Sequence, residues 1–141
     1  MTVPSPLSPL VVVEDNDEDF EALSRVLRET TAREQIVRYV TGEEAVAGLF
    51  DGERPALVIL DLNLPGIQGL DVLARVKQDP ARRIVPIIVL SGSRRQEDID
   101  AAYEAGANAY LAKPLDFSEL RRVVISMFEF WQVASLPERR R

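Results

Sequence analysis

Ala56-Leu57-Val58-Ile59-Leu60-Asp61 is an unbroken apolar run, rich in branched residues, that ends on a single carboxylate. A run that does not alternate apolar with polar suits a strand buried on both faces, which is the habit of parallel sheets. Working outward, the same signature recurs at Leu10 to Val13, Gln35 to Val40, Pro86 to Leu90 and Ala109 to Ala112. The run from Gln35 carries Arg38 inside it, which suits an edge position. Between the runs the apolar residues take helical spacing. Phe20, Leu23 and Leu27 form one stripe, Val46, Leu49 and Phe50 a second, and Leu70, Leu73 and Ala74 a third. Ile99, Ala102 and Tyr103 form a fourth, closed by Gly106 as a C-cap, and a fifth helix runs from about Phe117 to Trp131.

Five strand-then-helix units predict an α/β domain, a doubly wound parallel sheet with helices on both faces. Right-handed crossovers leave few topologies, and the flavodoxin-like (βα)5 order 2-1-3-4-5 is the common one at this length. A chain of 141 residues with 46% hydrophobic content has the material for one core. The expected organisation is a flexible segment over 1–9, where Pro4, Pro6 and Pro9 oppose a helix, a domain over 10–131, and a solvated tail over 132–141 ending in Arg139-Arg140-Arg141.

The chain contains no His and no Cys. That removes thiolate and imidazole metal sites, disulfides, Ser-His-Asp or Cys-His catalysis, and any histidine able to carry a phosphoryl group. Lys and Arg number 17 against 23 Asp and Glu, a formal charge of -6, which argues against a nucleic-acid surface. No basic, apolar leader and no run approaching eighteen apolar residues is visible, so the expectation is a soluble cytoplasmic protein without a membrane segment.

In an open α/β sheet, ligands bind beyond the carboxyl ends of the strands, where the strand order reverses. Strand one leads into Glu14-Asp15, strand three into Asp61, strand four into Ser91 and strand five into Lys113-Pro114. The fold therefore brings four polar sets to one edge. Carboxylates about 5 Å apart repel by roughly 3 kcal/mol at an effective dielectric of about 20. Either a proton is retained or a cation binds, and an all-oxygen set with room for water suits Mg²⁺ or Mn²⁺. Asp17, Glu18 and Asp19 read as acids of a helix start, with Asn16 or Asp17 as its cap. An EF-hand beginning at Asp15 fails, because Phe20 stands where the loop needs Gly and Val26 where it needs Glu. Only Lys77 and Lys113 among the 17 basic residues are lysines, so a Lys kept before Pro114 suggests a compact charge reaching toward the acids. Carboxylate, cation, Lys and hydroxyl together make a site for a phosphoryl group.

The motifs Val13-Glu14-Asp15-Asn16, Leu60-Asp61-Leu62-Asn63-Leu64-Pro65-Gly66 with Gly69, Leu90-Ser91-Gly92 and Ala109-Tyr110-Leu111-Ala112-Lys113-Pro114 together resemble the receiver domains of two-component response regulators, the CheY-like family. The resemblance covers Leu10 to Trp131. It implies that Asp61 accepts a phosphoryl group from a partner histidine kinase, and that Asp15, Asp61 and the backbone carbonyl of Asn63 ligate Mg²⁺, with Glu14 acting through water. It also implies that Lys113 binds a phosphoryl oxygen, that Ser91 reports phosphorylation, and that Tyr110 is the aromatic that swings inward. Glu14 stands where many receivers have Asp, and Ser91 replaces the commoner Thr. A narrower likeness, to single-domain regulators paired with phytochrome histidine kinases, rests on the Glu-Asp-Asn opening with Asp19 and on Phe128-Glu129-Phe130-Trp131 followed by Leu136-Pro137.

On a helical projection of the last helix, Arg121, Arg122, Ser126, Glu129 and Gln132 share one arc with Ile125 as an apolar intruder, and almost everything else is apolar. The apolar arc exceeds the ~100° that faces one core. A symmetric dimer through this face is the expectation. The reading is a phosphorylation-activated switch without an output domain of its own. A phosphatase with an aspartyl nucleophile would need a second acid where Asn63 stands, and a flavodoxin-like carrier would need a phosphate cradle where Glu14-Asp15 would repel it.

Overall fold

β1 (Leu10–Val13), β3 (Leu57–Leu60) and β4 (Ile87–Ser91) are buried at every position, whereas β2 (Ile36–Tyr39) and β5 (Ala109–Ala112) are partly open to solvent. The computed structural model describes residues 9–30, 35–51 and 53–137. All pairings are parallel, in the order β2-β1-β3-β4-β5. The continuous apolar runs thus become the central strands, and the Arg38-bearing run lies at an edge. Most strands are a residue shorter at one or both ends than the hydrophobic runs, and β4 extends to include Ser91. The expected segment 1–9, apart from Pro9, and the Arg139–Arg141 tail lie outside the described residues.

Five helices follow: α1 (Asp17–Leu27), α2 (Gly42–Phe50), α3 (Gly69–Gln78), α4 (Gln96–Glu104) and α5 (Phe117–Val133). Side chains alternate across each strand, so two cores form. Leu10, Val12, Leu57, Ile59, Ile88 and Leu90 pack beneath α1 and α5 with Leu23, Leu27, Val124 and Phe128. Val11, Val13, Val58, Leu60, Ile87 and Val89 face α2, α3 and α4 with Leu49, Val72, Leu73 and Ala102. The starts of α1, α2 and α5 are capped by Asn16, Thr41 and Asp116, each side chain accepting an N–H of the first turn. Gly106, with φ of 110°, ends α4 in a left-handed conformation that a side chain would strain.

α5 runs two residues beyond Trp131. Ile125, the apolar residue on its polar arc, packs against the core on the α1 side, where Arg121 also reaches Glu29. Trp131 and Leu136 pack on the same core, but Phe130 is 61% and Val133 83% exposed. No helix among the described residues is long and apolar enough to cross a membrane.

Candidate functional site

The strand ladder continues one residue past β1 and β3. Glu14 N–H donates to Tyr39 O, and Asp61 N–H donates to Val13 O, both at 3.0 Å. These bonds fix two carboxylate-bearing residues side by side in a region otherwise lined by the core. Ligand oxygens of Glu14, Asp15 and Asp61 all lie within 4.8 Å of one another. Glu14 and Asp61 are buried, and Asp15 is exposed.

Lys113 enters this cluster from the end of β5. Its backbone N–H donates to Ser91 O at 2.7 Å, and Pro114, which has no N–H to donate, follows immediately. Its Nζ donates to Glu14 Oε1 at 2.7 Å, Asp19 Oδ2 at 3.0 Å and Asp61 Oδ2 at 3.2 Å. An ammonium has three protons to give, and all three have takers. Burial works against the Lys113 charge, but the hydrogen bonds to Glu14 and Asp19 and the negative charges of Asp61 and Glu14 outweigh it and push its pKa up. Burial pushes the Glu14 carboxyl up to about 7; the Asp61 charge adds to this, while Lys113 and the Asn16 N–H pull the other way.

The remaining oxygens are held from the backbone. Asn16 N–H donates to Glu14 Oε2 and Asn63 N–H to Asp61 Oδ1, both at 3.1 Å. The loop after Asp61 is drawn in by buried Leu64 and held by Glu43 of α2, which accepts the Ile67 N–H at 2.9 Å beside Gly66. Gly66 has φ of 71°, and Gly69 lies so close to the Asp61 carbonyl and Leu62 that an added Cβ would collide with them. Across the cleft, buried Ser91 ends β4, and its Oγ lies 3.4 Å from Ser93 N. Tyr110 donates its hydroxyl proton to Ser93 O at 2.8 Å, and Ser93 is bonded to Asp98 of α4. At Gly92, between the two serines, a Cβ would meet nothing within 4 Å. The cleft measures about 910 Å³ and is lined by Asp19, Asp61, Asn63, Ser91 and Lys113 among others.

Glu14, Asp15, Asp61, Asn63, Ser91 and Lys113 therefore gather at one edge, with Tyr110 behind Ser93. Asp19 belongs to the helix start, as its sequence predicts, and to the site as well. It sits in the first turn of α1, where an acid favours the helix dipole, yet its carboxylate is committed to Lys113. The buried, all-oxygen donor set, with one exposed carboxylate leaving room for water, fits a hard divalent cation and no softer metal. Glu14 and Asp61 both already accept hydrogen bonds on each oxygen, whereas the exposed Asp15 carboxylate faces solvent.

Residues 10–125 match the response regulator receiver domain family. The chain is 34% identical over 140 residues to the response regulator Rcp1 of Synechocystis sp., a match covering 94% of this chain and 95% of that protein. Among solved structures it is similar to the phosphorylated cyanobacterial phytochrome response regulator RcpA, with 36% identity and a TM-score of 0.87 over 93% of this chain and 99% of that one. The Mn²⁺-bound form of Rcp1 is similar at 33% identity and a TM-score of 0.85, again over 93% and 99% of the two chains.

Proposed function

The chain belongs to the response regulator receiver domain family, the phosphorylation-controlled signalling proteins of two-component systems, and from the geometry of its acidic cleft we propose that Asp61 is the phosphoacceptor. The observation that carries this is one ammonium, Lys113 Nζ, bonded at once to Asp61 and Glu14 at the end of the sheet where the strand order reverses.

The donor in this reading is a phosphohistidine of a partner histidine kinase. This chain has no histidine, so the donor is a separate group. A carboxylate oxygen of Asp61 attacks phosphorus, the bond from phosphorus to the imidazole nitrogen breaks, and the departing nitrogen keeps the electron pair and takes up a proton. Lys113 bonds a phosphoryl oxygen as that charge rearranges. Asp15, Asp61 and the carbonyl of Asn63 would hold Mg²⁺ or Mn²⁺, with Glu14 acting through water. When bound, the cation would screen the negative charge of the phosphoryl oxygens.

Ser91 is then drawn toward the phosphoryl group. The Ser93 contacts with Ser91 and Tyr110 carry that change to β5 and the α4 to α5 face. Self-catalysed phosphotransfer and hydrolysis of the acyl phosphate are the only reactions in this reading. RcpA is a phytochrome response regulator, and a phytochrome kinase is accordingly the proposed partner. A homodimer through α5 is the second proposed assembly, because Phe130 and Val133 remain exposed on it. A cytoplasmic location belongs to the same reading.

The test is to add a small-molecule phosphodonor with Mg²⁺ and record intact mass for the native protein and Asp61→Asn. One phosphoryl group on the native protein and none on the variant is expected. Gain by both, or by neither, overturns the assignment of Asp61.

A further inference from the structure

We propose that Asp19 is a positioning residue for phosphotransfer, holding the Lys113 ammonium in place while its bond to Asp61 is exchanged for one to a phosphoryl oxygen. The inference rests on the reading of Asp61 as phosphoacceptor and adds a residue on a different element to that site.

Three carboxylates share the Lys113 ammonium, and the reaction changes only one of them. Once Asp61 becomes an acyl phosphate its carboxyl group no longer carries a full negative charge, so its hold on Nζ weakens when the phosphoryl oxygens need a cation. Glu14 alone would leave Nζ on a single charged tether, free to rotate about it on a long flexible side chain. Asp19 supplies the second tether from α1. It lies 94 residues away in sequence, and the N-terminus of its helix is capped by Asn16. Two fixed acceptors leave Nζ one proton to aim, and that proton already points at Asp61. Held this way, Lys113 transfers one hydrogen bond without moving, which is the pre-organisation that lowers a barrier.

Asp19 also has a cost that distinguishes this role from a structural one. Its side chain is 45% exposed and lines the cleft, so its charge repels an anionic donor on approach. Removing the charge should therefore make donor binding as good or better while making the transfer slower. Removing an acid that serves only the helix dipole would change stability and leave the maximal rate as it was.

The experiment follows aspartyl-phosphate formation by intact mass against the concentration of a small anionic phosphodonor, with Mg²⁺ present. The proteins compared are native, Asp19→Asn, Asp19→Ala and Asp19→Glu, each with its thermal unfolding midpoint. For Asp19→Asn and Asp19→Ala the maximal rate is expected to fall about five- to tenfold, with half-saturation at an equal or lower donor concentration. Asp19→Glu should recover most of the rate. Native maximal rates in both neutral variants overturn the inference and leave Asp61 untouched. So does a higher half-saturating concentration, or a rate that tracks the unfolding midpoint across the set. If the native protein takes up no phosphoryl group, the reading of Asp61 fails and this inference falls with it.

Discussion

Glu14 and Lys113, 99 residues apart in sequence, meet through a 2.7 Å bond between a carboxylate and an ammonium whose side chains are only 5% and 15% exposed. Removing one member of such a pair strands the other charge in a poorly solvated place. Lys113→Met should destabilise the protein by about 2–4 kcal/mol at pH 8. The loss should shrink at pH 5, where Glu14 takes up a proton. Urea unfolding of the two proteins at both pH values measures this.

The Glu14 carboxyl, pushed up to about 7 by burial, makes stability depend on pH in a stated direction. A group whose pKa is higher folded than unfolded favours the folded state below its unfolded value, near 4.5, and that contribution disappears as pH rises through about 7. The native protein without added metal should lose stability over this window relative to Glu14→Gln. Mg²⁺ should reverse the trend, because a cation favours the ionised cluster. Denaturant midpoints at half-unit steps from pH 5 to 8, with and without Mg²⁺, give the comparison.

Phe128 and Phe130 stand two residues apart on α5 with opposite surroundings. Phe128 is 1% exposed in the core beneath α1 and α5, and Phe128→Ala should cost about 3–5 kcal/mol. Phe130 is 61% exposed and touches Trp131 edge to face with ring centroids 5.4 Å apart. Phe130→Ala should change stability by less than about 1 kcal/mol but weaken self-association. Sedimentation velocity on phosphorylated and unphosphorylated protein decides it, and a native protein that stays monomeric in both states sinks the dimer.

Lys77 accounts for the other lysine. Its Nζ donates to Arg83 O at 3.0 Å, Val85 O at 2.7 Å and Asn108 Oδ1 at 3.0 Å, tying α3 to the segments that lead into β4 and β5. Burial lowers its pKa. A planar guanidinium cannot serve these three acceptors in the same space, so Lys77→Arg should cost about 1–2 kcal/mol while phosphoryl acceptance stays unchanged. Unfolding curves and the mass assay read the two halves of this prediction.

The strand ends are legible because β1, β3 and β4 are buried on both faces and carry no polar residue before their last position. Glu14, Asp61 and Ser91 mark where burial by the helices gives way to the cleft. Arg38 could be placed at an edge for the converse reason, and there it lies over the Phe20 ring and pairs with Asp17. Asp19 and Asp98 could not be read in the same way. Each lies in the first turn of a helix, where an acid already has a local explanation, and their reach to Lys113 and Ser93 depends on distances that only the folded chain sets. The scarcity of lysine pointed to both Lys77 and Lys113. It could not distinguish the one that staples strand entries from the one that serves the cleft.

The open space at Gly92 bears on how sharply this domain can switch. Ser91 and Ser93 flank a point where even an added side chain would displace no packed atom, so an exchange of the hydrogen bonds around them need not disturb the core. An equilibrium governed by a few exchanged bonds keeps its two states within a few kcal/mol of one another.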